Sequence, residues 1–448
     1  MRSLTVCSRR TAVVDALRPA AVHVRDGRIV AVSAYDDRPA GVPVLDAGDA
    51  VLLPGLVDTH VHINDPGRTE WEGFEHATRA AAAGGVTTII DMPLNSIPPT
   101  TTVEGFEVKR RAAEDRIWVD VGFWGGVVPG NAADLEPLAR AGVLGFKCFL
   151  CPSGVPEFEH VGESDLRDAL REIAALGLPL LAHAELPDLL LTPDPNDDVR
   201  RYETWLQTRP PVSEAAAIDL LVSLAIEFNA RVHIVHLASA DALPMLRAAR
   251  ASQAKITVET CPHYLSFAAE DIPDGATAYK CAPPIRSKRH QDGLWRGLDE
   301  RDIDLVATDH SPAPPALKGL SDGNFTSAWG GIASLQLGLS AIWTEAHARA
   351  VPLECLPRWL CETPARLAGI DDRKGSIAVG RDADLVVWDP ESEWTVDPAA
   401  LYHRHAVTPY AGRRLRGRVV KTLLRGELVF DGQILGGASG RLVIRSVP

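Results

Sequence analysis

Val51-Leu52-Leu53-Pro54-Gly55-Leu56-Val57 runs directly into Asp58-Thr59-His60-Val61-His62. The first seven residues read as a short apolar strand of the kind that is buried on both faces in a parallel sheet. His60 and His62 stand two apart, so on extended backbone their imidazoles leave the same face and can converge on one metal ion. The chain repeats this pattern of an apolar run followed by chemistry. Runs at 86–91, 117–123, 143–149, 178–182, 231–235, 255–259 and 303–307 read as strands. Between them, helical windows at 72–83, 103–113, 132–141, 164–176, 213–228 and 240–251 carry apolar residues at three- and four-residue steps. Eight strands with helical crossovers are the count for an α/β chain folded as a (β/α)8 TIM-like barrel, whose active face lies at the C-terminal strand ends. A doubly wound open sheet is the alternative, but it would not explain where the chemistry falls.

Outside this region the rhythm changes. The first fifty residues alternate apolar and polar positions, as in Ala21-Val22-His23-Val24 and Ile29-Val30-Ala31-Val32, around an Asp26-Gly27 turn. The end of the chain does the same at 383–388, 419–424 and 427–430. We expect residues 1–53 and 371–448 to join as one small β-sandwich domain framing a barrel over 54–370. The connections at 185–211 and 260–302 are long enough to read as functional loops.

The composition is globular, 46% hydrophobic and 23% charged over 448 residues. Against 59 Asp+Glu stand 46 Lys+Arg, a net charge of −13 that excludes nucleic acid or an anionic membrane as the main partner. No run of 18 apolar residues occurs and the start lacks an apolar leader core, so a cytoplasmic location is expected. Seven cysteines make no disulfide framework, and Cys148-x-x-Cys151 reads as two small residues of a buried strand and its exit.

Single ionisable residues close or interrupt the apolar strands. Lys147 interrupts Gly145-Phe146-Lys147-Cys148-Phe149. It either reaches the rim and stays solvated, or is a desolvated, partly neutral amine able to add CO2 and become an anion between two cations. His183 follows Leu180-Leu181-Ala182, His236 ends Val232-His233-Ile234-Val235-His236, and Asp309 closes Leu305-Val306-Ala307-Thr308. Strand alternation sends His233 and His236 to opposite faces, and His236, nearer the rim, is the one we take to face the centre. His310 should face away from whatever Asp309 binds. A nitrogen and oxygen donor set without thiolate suits Zn²⁺, Co²⁺ or Mn²⁺.

Pro54-Gly55-Leu56-Val57-Asp58-Thr59-His60-Val61-His62 and Gly375-Ser376-Ile377-Ala378-Val379-Gly380-Arg381-Asp382-Ala383-Asp384-Leu385-Val386 resemble the opening and closing signatures of the cyclic amidohydrolases of the amidohydrolase superfamily. Within it, Asn64-Asp65-Pro66-Gly67-Arg68, Asp91-Met92-Pro93-Leu94-Asn95, Thr260-Cys261-Pro262-His263-Tyr264, Asp309-His310-Ser311-Pro312 and Ala328-Trp329-Gly330-Gly331-Ile332 are similar to the allantoinase branch. Dihydroorotases of this type carry an arginine where this chain has Asn64, and dihydropyrimidinases and hydantoinases a tyrosine where it has Pro152. The branch's usual Cys-Ser-Pro-Pro here reads Cys281-Ala282-Pro283-Pro284.

The resemblance implies two divalent ions, zinc first with cobalt or manganese as alternatives. His60, His62 and Asp309 would hold one, His183 and His236 the other, and Lys147, carboxylated by CO2 (N6-carboxylysine), would bridge them. A hydroxide shared by the metals would open the hydantoin ring of allantoin to allantoate, a step of purine catabolism, with Asp309 as the catalytic acid/base. The alternative is a dihydropyrimidinase or hydantoinase acting on another cyclic ureide. Asn95, Cys281, Ser311, Gly330 and Gly331 are the expected substrate contacts, and a homotetramer the expected assembly. Non-enzymatic scaffold proteins of this fold lose metal ligands, whereas all six positions stand here.

Overall fold

The computed structural model describes residues 3–13 and 16–445. Eight parallel strands form the barrel: β1 (Leu56–Val61), β2 (Val86–Asp91), β3 (Asp120–Phe123), β4 (Phe146–Phe149), β5 (Pro179–His183), β6 (Arg231–Ile234), β7 (Ile256–Thr260) and β8 (Leu305–Val306). Consecutive strands pair in parallel from β1 to β3 and from β4 to β8. Two short joints close the ring. Gly125–Gly126, just beyond β3, pairs with Phe146 and Lys147 of β4. Past β8, Val61 bridges His310 in parallel, and the His62 N–H donates to the His310 carbonyl at 2.8 Å. Every residue of β1 to β5 is buried, as strands covered on both faces require.

The crossover helices bury one stripe each. Glu163–Leu176 shows the local logic: Asp165 accepts from the Gly162 N–H at its start, and Gly177 ends it in the left-handed region at φ 66°. Between these stops Leu166, Ala169, Leu170 and Ile173 face the barrel.

Three expectations need correction. The run 51–57 is two strands, not one. Val51–Pro54 pairs with Leu385–Trp388 in the terminal sheet, and β1 starts at Leu56, so His60 lies within its strand rather than after it. Gly55 makes the corner, and a Cβ there would stand 2.1 Å from Thr87 Oγ1. The stretch 260–302 is not an irregular loop, because Lys288–Asp299 is a helix. Its buried stripe mixes His290 and Gln291 with Leu294, Trp295 and Leu298, which hides the apolar period. Likewise, 185–211 contains the helix Tyr202–Thr208.

The two chain ends meet in one sheet. Its order is Glu427–Asp431, Arg414–Leu424, Leu385–Thr395, Val51–Pro54, Ser3–Val13, Ala16–Arg25, Arg28–Ser33, with Val44–Asp46 added beside Ser3–Val13. A separate apolar cluster that includes Val6, Val22, Leu52, Leu385 and Leu423 forms the interior of this β-sandwich domain.

A buried charge cluster seals the domain to the barrel. Lys374 Nζ lies 2.6 Å from Asp120 Oδ2 of β3, 2.6 Å from Asp384 Oδ2 and 3.0 Å from Asp382 Oδ2. Arg425 closes on the same Asp120, which also accepts the Arg441 N–H. Three carboxylates around one ammonium hold it in the charged form, against burial. Removing one partner of such a group strands buried charge, so Lys374→Met is expected to cost about 3–5 kcal/mol of unfolding free energy in denaturant titration. A loss below about 1 kcal/mol would show that this seam is solvated and weak.

Candidate active site

The C-terminal strand ends converge on a cavity of about 260 Å³. On β1, His60 places Nδ1 2.5 Å from Glu259 Oε1 of β7. That carboxylate can only accept, so Nδ1 carries a proton and Nε2 is the ring nitrogen turned to the cavity. His60 Nε2 stands 3.2 Å from Asp309 Oδ1, and His62 Nε2 stands 3.4 Å from the same oxygen. At the end of β5, His183 repeats the device: Nε2 lies 2.7 Å from Glu185 Oε2, and Nδ1, left bare, faces His236 Nε2 at 3.1 Å. The His60 and His236 rings are 5.4 Å apart, which joins the two groups into one centre.

Buried imidazole nitrogens and a carboxylate oxygen gathered this closely, with no thiolate among them, are the donor set that a borderline divalent cation takes. His60, His62 and Asp309 have ligand atoms within 4.8 Å of one another, all buried.

Lys147 lies just beneath, fully buried. Its Nζ donates to the Cys148 carbonyl at 3.0 Å and sits 3.8 Å from the Phe149 ring centre. Burial pushes its amine down to about 8, against the pull of Cys148, Asp309 and Glu259. A substantial neutral fraction therefore exists near pH 8, the form that can react as a nucleophile. Burial alone would raise Glu259, but His60 and His233 outweigh it and hold the carboxyl at about 2. For Asp309, His60 and His62 overcome burial in the same way, keeping it well below the usual carboxylate range. Burial lowers His183 and His236, so both are neutral.

His233 corrects the alternation argument. Its ring bonds Thr257 Oγ1 at 2.8 Å and Glu259 Oε2 at 3.0 Å, so it too reaches the buried network around Glu259. β6 stops at Ile234 and His236 adopts φ 41°, so period-two parity no longer governs where its side chain goes. Asp309 makes a similar left-handed bend at φ 46°.

Asn95, Cys281, Ser311, Gly330 and Gly331 all line the cavity. Asn95, at φ 66°, brings Nδ2 to 3.4 Å from His62 Nδ1, and the Cys281 carbonyl accepts from Trp205 Nε1 at 3.0 Å. Sequence reasoning misses Glu259, Glu185 and Arg209, the last of which pairs with Glu185 and lines the cavity. Glu259 is visible by the rule that exposes Lys147, one charge ending the apolar run Ile256-Thr257-Val258. Glu185 and Arg209 carry no such signal.

A barrel with ionisable side chains gathered at its C-terminal mouth is the architecture of a barrel enzyme. Residues 51–429 match the Amidohydrolase family, and the chain belongs to that family. It is 52% identical over 443 residues to the allantoinase of Streptomyces avermitilis, covering 99% of this chain and 98% of that protein. It is 46% identical to the allantoinase of Arabidopsis thaliana, covering 98% and 90%. Among solved structures, the L-hydantoinase (dihydropyrimidinase) of Arthrobacter aurescens superposes with a TM-score of 0.92 at 30% identity, covering 99% of this chain and all of that one. The dihydropyrimidinase of Brevibacillus agri gives 0.89 at 28%, covering 99% of each.

His310 turns away from the cavity, as expected. Its Nδ1 accepts the N–H groups of Ser334 and Leu335, and its ring lies 4.8 Å from that of His403. Burial pushes both imidazoles down to about 3, from an ordinary 6.5. Folded, they stay neutral where the unfolded chain takes up protons. Their contribution is therefore fully present above pH 6.5 and is lost as pH falls toward 3. Each group has a slope of about 1.4 kcal/mol per pH unit. Unfolding free energy should be flat above pH 7 and drop by about 3 kcal/mol per unit between pH 6 and 4 from these two alone. Equal stability in urea at pH 7.5 and pH 5 would contradict this.

Proposed function

We propose that the chain is a metal-dependent cyclic amide hydrolase that opens the hydantoin ring of allantoin to give allantoate. The observation that carries this reading is the pair of carboxylate-fixed imidazoles, His60 on Glu259 and His183 on Glu185, whose other ring nitrogens face Asp309 and His236. The relatives named allantoinase favour allantoin over another cyclic ureide.

His60, His62 and Asp309 would hold one divalent ion, and His183 and His236 a second. Zinc is our first assignment, with cobalt or manganese as alternatives. Such ions supply a water acidified toward neutral pH and a polarised carbonyl. Lys147, as its carbamate, would place an anion between them. That step consumes CO2 and releases one proton from the amine nitrogen.

Asp309 moves the proton of the hydrolysis. Its carboxylate, kept ionised by His60 and His62, accepts a proton from the attacking water as the new C–O bond forms. It then delivers that proton to the ring nitrogen as the C–N bond breaks. Asn95, Cys281, Ser311, Gly330 and Gly331 orient the ring in the cavity. A cytoplasmic homotetramer belongs to the same reading. The exposed Val212 and Ile226 on the outer face of Pro211–Glu227 are what a subunit contact would cover. Among the described residues, no helix is long and apolar enough to cross a membrane.

Assays with allantoin, dihydrouracil and dihydroorotate as separate substrates should show allantoin opened fastest, and faster opening of dihydrouracil would transfer the assignment to the alternative. Lys147→Ala should lose bound metal and turnover, with partial recovery in short-chain carboxylic acids, and two metals retained at full rate would remove the carbamate. Glu259→Gln should weaken metal binding by about 10–100-fold, read by competition with a chelating dye. Unchanged affinity would mean that Glu259 does not set the His60 tautomer.

A further inference from the structure

Residues 327–331 form one wall of the cavity, and two buried lysines bond its carbonyls, Lys318 from outside the cavity lining and Lys280 from within it. Lys280 Nζ donates to the Ala328 carbonyl at 2.6 Å and to the Thr326 carbonyl at 3.3 Å, while resting 4.2 Å from the Trp205 ring centre. Lys318 Nζ donates to the Trp329 carbonyl at 3.0 Å and to the Gly331 carbonyl at 2.7 Å. The two residues are 5% and 3% exposed. Among the described residues no carboxylate stands within salt-bridge distance of either ammonium, so four carbonyls of one six-residue stretch are their main compensation. A buried ammonium without a carboxylate costs several kcal/mol, and an apolar side chain of similar size would avoid that cost. Burial accordingly pushes Lys318 down to about 7 and Lys280 to about 8.

The arrangement dictates what the cavity sees. Across a trans peptide the carbonyl of one residue and the N–H of the next point in opposite directions. With the Trp329 carbonyl turned onto Lys318, the Gly330 N–H must point the other way, toward the cavity that Gly330 lines. Its neighbours are spent: the Trp329 N–H donates to Leu317, and the Gly331 N–H to Lys280. The Gly330 N–H has no acceptor in the protein among the described residues. Gly331, at φ 121°, lets the strap lie against Ser311, whose carbonyl would be 2.3 Å from a Cβ at that position.

We infer that Lys280 and Lys318 are positioning residues for substrate binding, which pull the strap's carbonyls outward so that the Gly330 N–H is a fixed donor to a ring carbonyl oxygen of a cyclic ureide. The inference rests on the reading of the cavity as a cyclic-ureide site. Lys318 lies outside the cavity lining, and Lys280, which lines it, has its Nζ turned onto the strap carbonyls. Their effect therefore belongs to ground-state binding, and it falls on KM rather than kcat.

The test uses the metal-loaded, full-length protein and Lys318→Met, which keeps the stem and removes the donors. Expected results are a KM for allantoin raised about tenfold, the size of one lost neutral hydrogen bond, and kcat within about threefold of wild type. Bound metal should be unchanged, and amide exchange should accelerate at 326–331 and not at the metal-site strand ends. A KM within about twofold of wild type, or kcat and metal lost together, would overturn the inference. If Lys318→Met does not fold, Lys280→Met is read by amide exchange at 326–331, because Lys280 also lines the cavity; faster exchange there supports the inference and unaltered exchange overturns it. Amide exchange is read without substrate, so it separates the two failures. A wild type that opens no cyclic ureide sinks the functional reading. Unaltered exchange at 326–331 in the folded variants sinks the role of the lysines.

Discussion

A fully buried carboxylate, Glu259, is the constraint on which the centre depends. Buried inside the barrel, it must be satisfied by donors, and it takes three: the Nδ1–H of His60, the Nε2–H of His233 and the backbone N–H of His236. In doing so it decides the tautomer of His60 and draws β1, β6 and β7 into one arrangement. Glu185 does the same for His183 with help from Arg209. The two carboxylates therefore fix which ring nitrogen of His60 and of His183 faces the mouth.

Residues that interrupt or close an apolar strand are legible in the amino-acid sequence alone. His60, His62, Lys147, His183 and Asp309 each have a bland reading alone, and stand out because ionisable side chains recur at the ends of successive apolar strands. The succession of buried strands also sets the barrel's count. What the sequence does not disclose is geometry that departs from the strand rule: the left-handed residue at His236, the corner at Gly55, and the amphipathic helix Lys288–Asp299 whose inner face includes His290 and Gln291. Lys280 and Lys318 lie in stretches without periodicity, where nothing in the sequence separates a buried ammonium from a solvated one.

Charge is handled in contrasting ways at the two buried clusters. At the domain seam, Lys374 is surrounded by Asp120, Asp382 and Asp384, with Arg425 alongside, so each cation faces carboxylate directly. Beside the strap, two ammonium groups have carbonyl oxygens and the face of an indole as partners. The first arrangement fixes two large bodies together. The second fixes the direction of a few peptide planes, which is what a small, rigid ring needs from a cavity wall.

The corner at Gly55 sets how separable the two domains are. Val51–Pro54 is hydrogen-bonded within the sandwich sheet, and the next strand of the chain is the one that carries His60. With one residue between them there is no slack, so the sandwich acts as an anchor plate for β1, and a tilt of the terminal sheet would be felt at His60 within two turns of the strand pleat. The terminal domain is therefore not a detachable module. A chain cut or recombined near this corner would free the first strand of the barrel, and grafting the barrel onto another domain would have to carry Val51–Pro54 and its partner Leu385–Thr395 along with it.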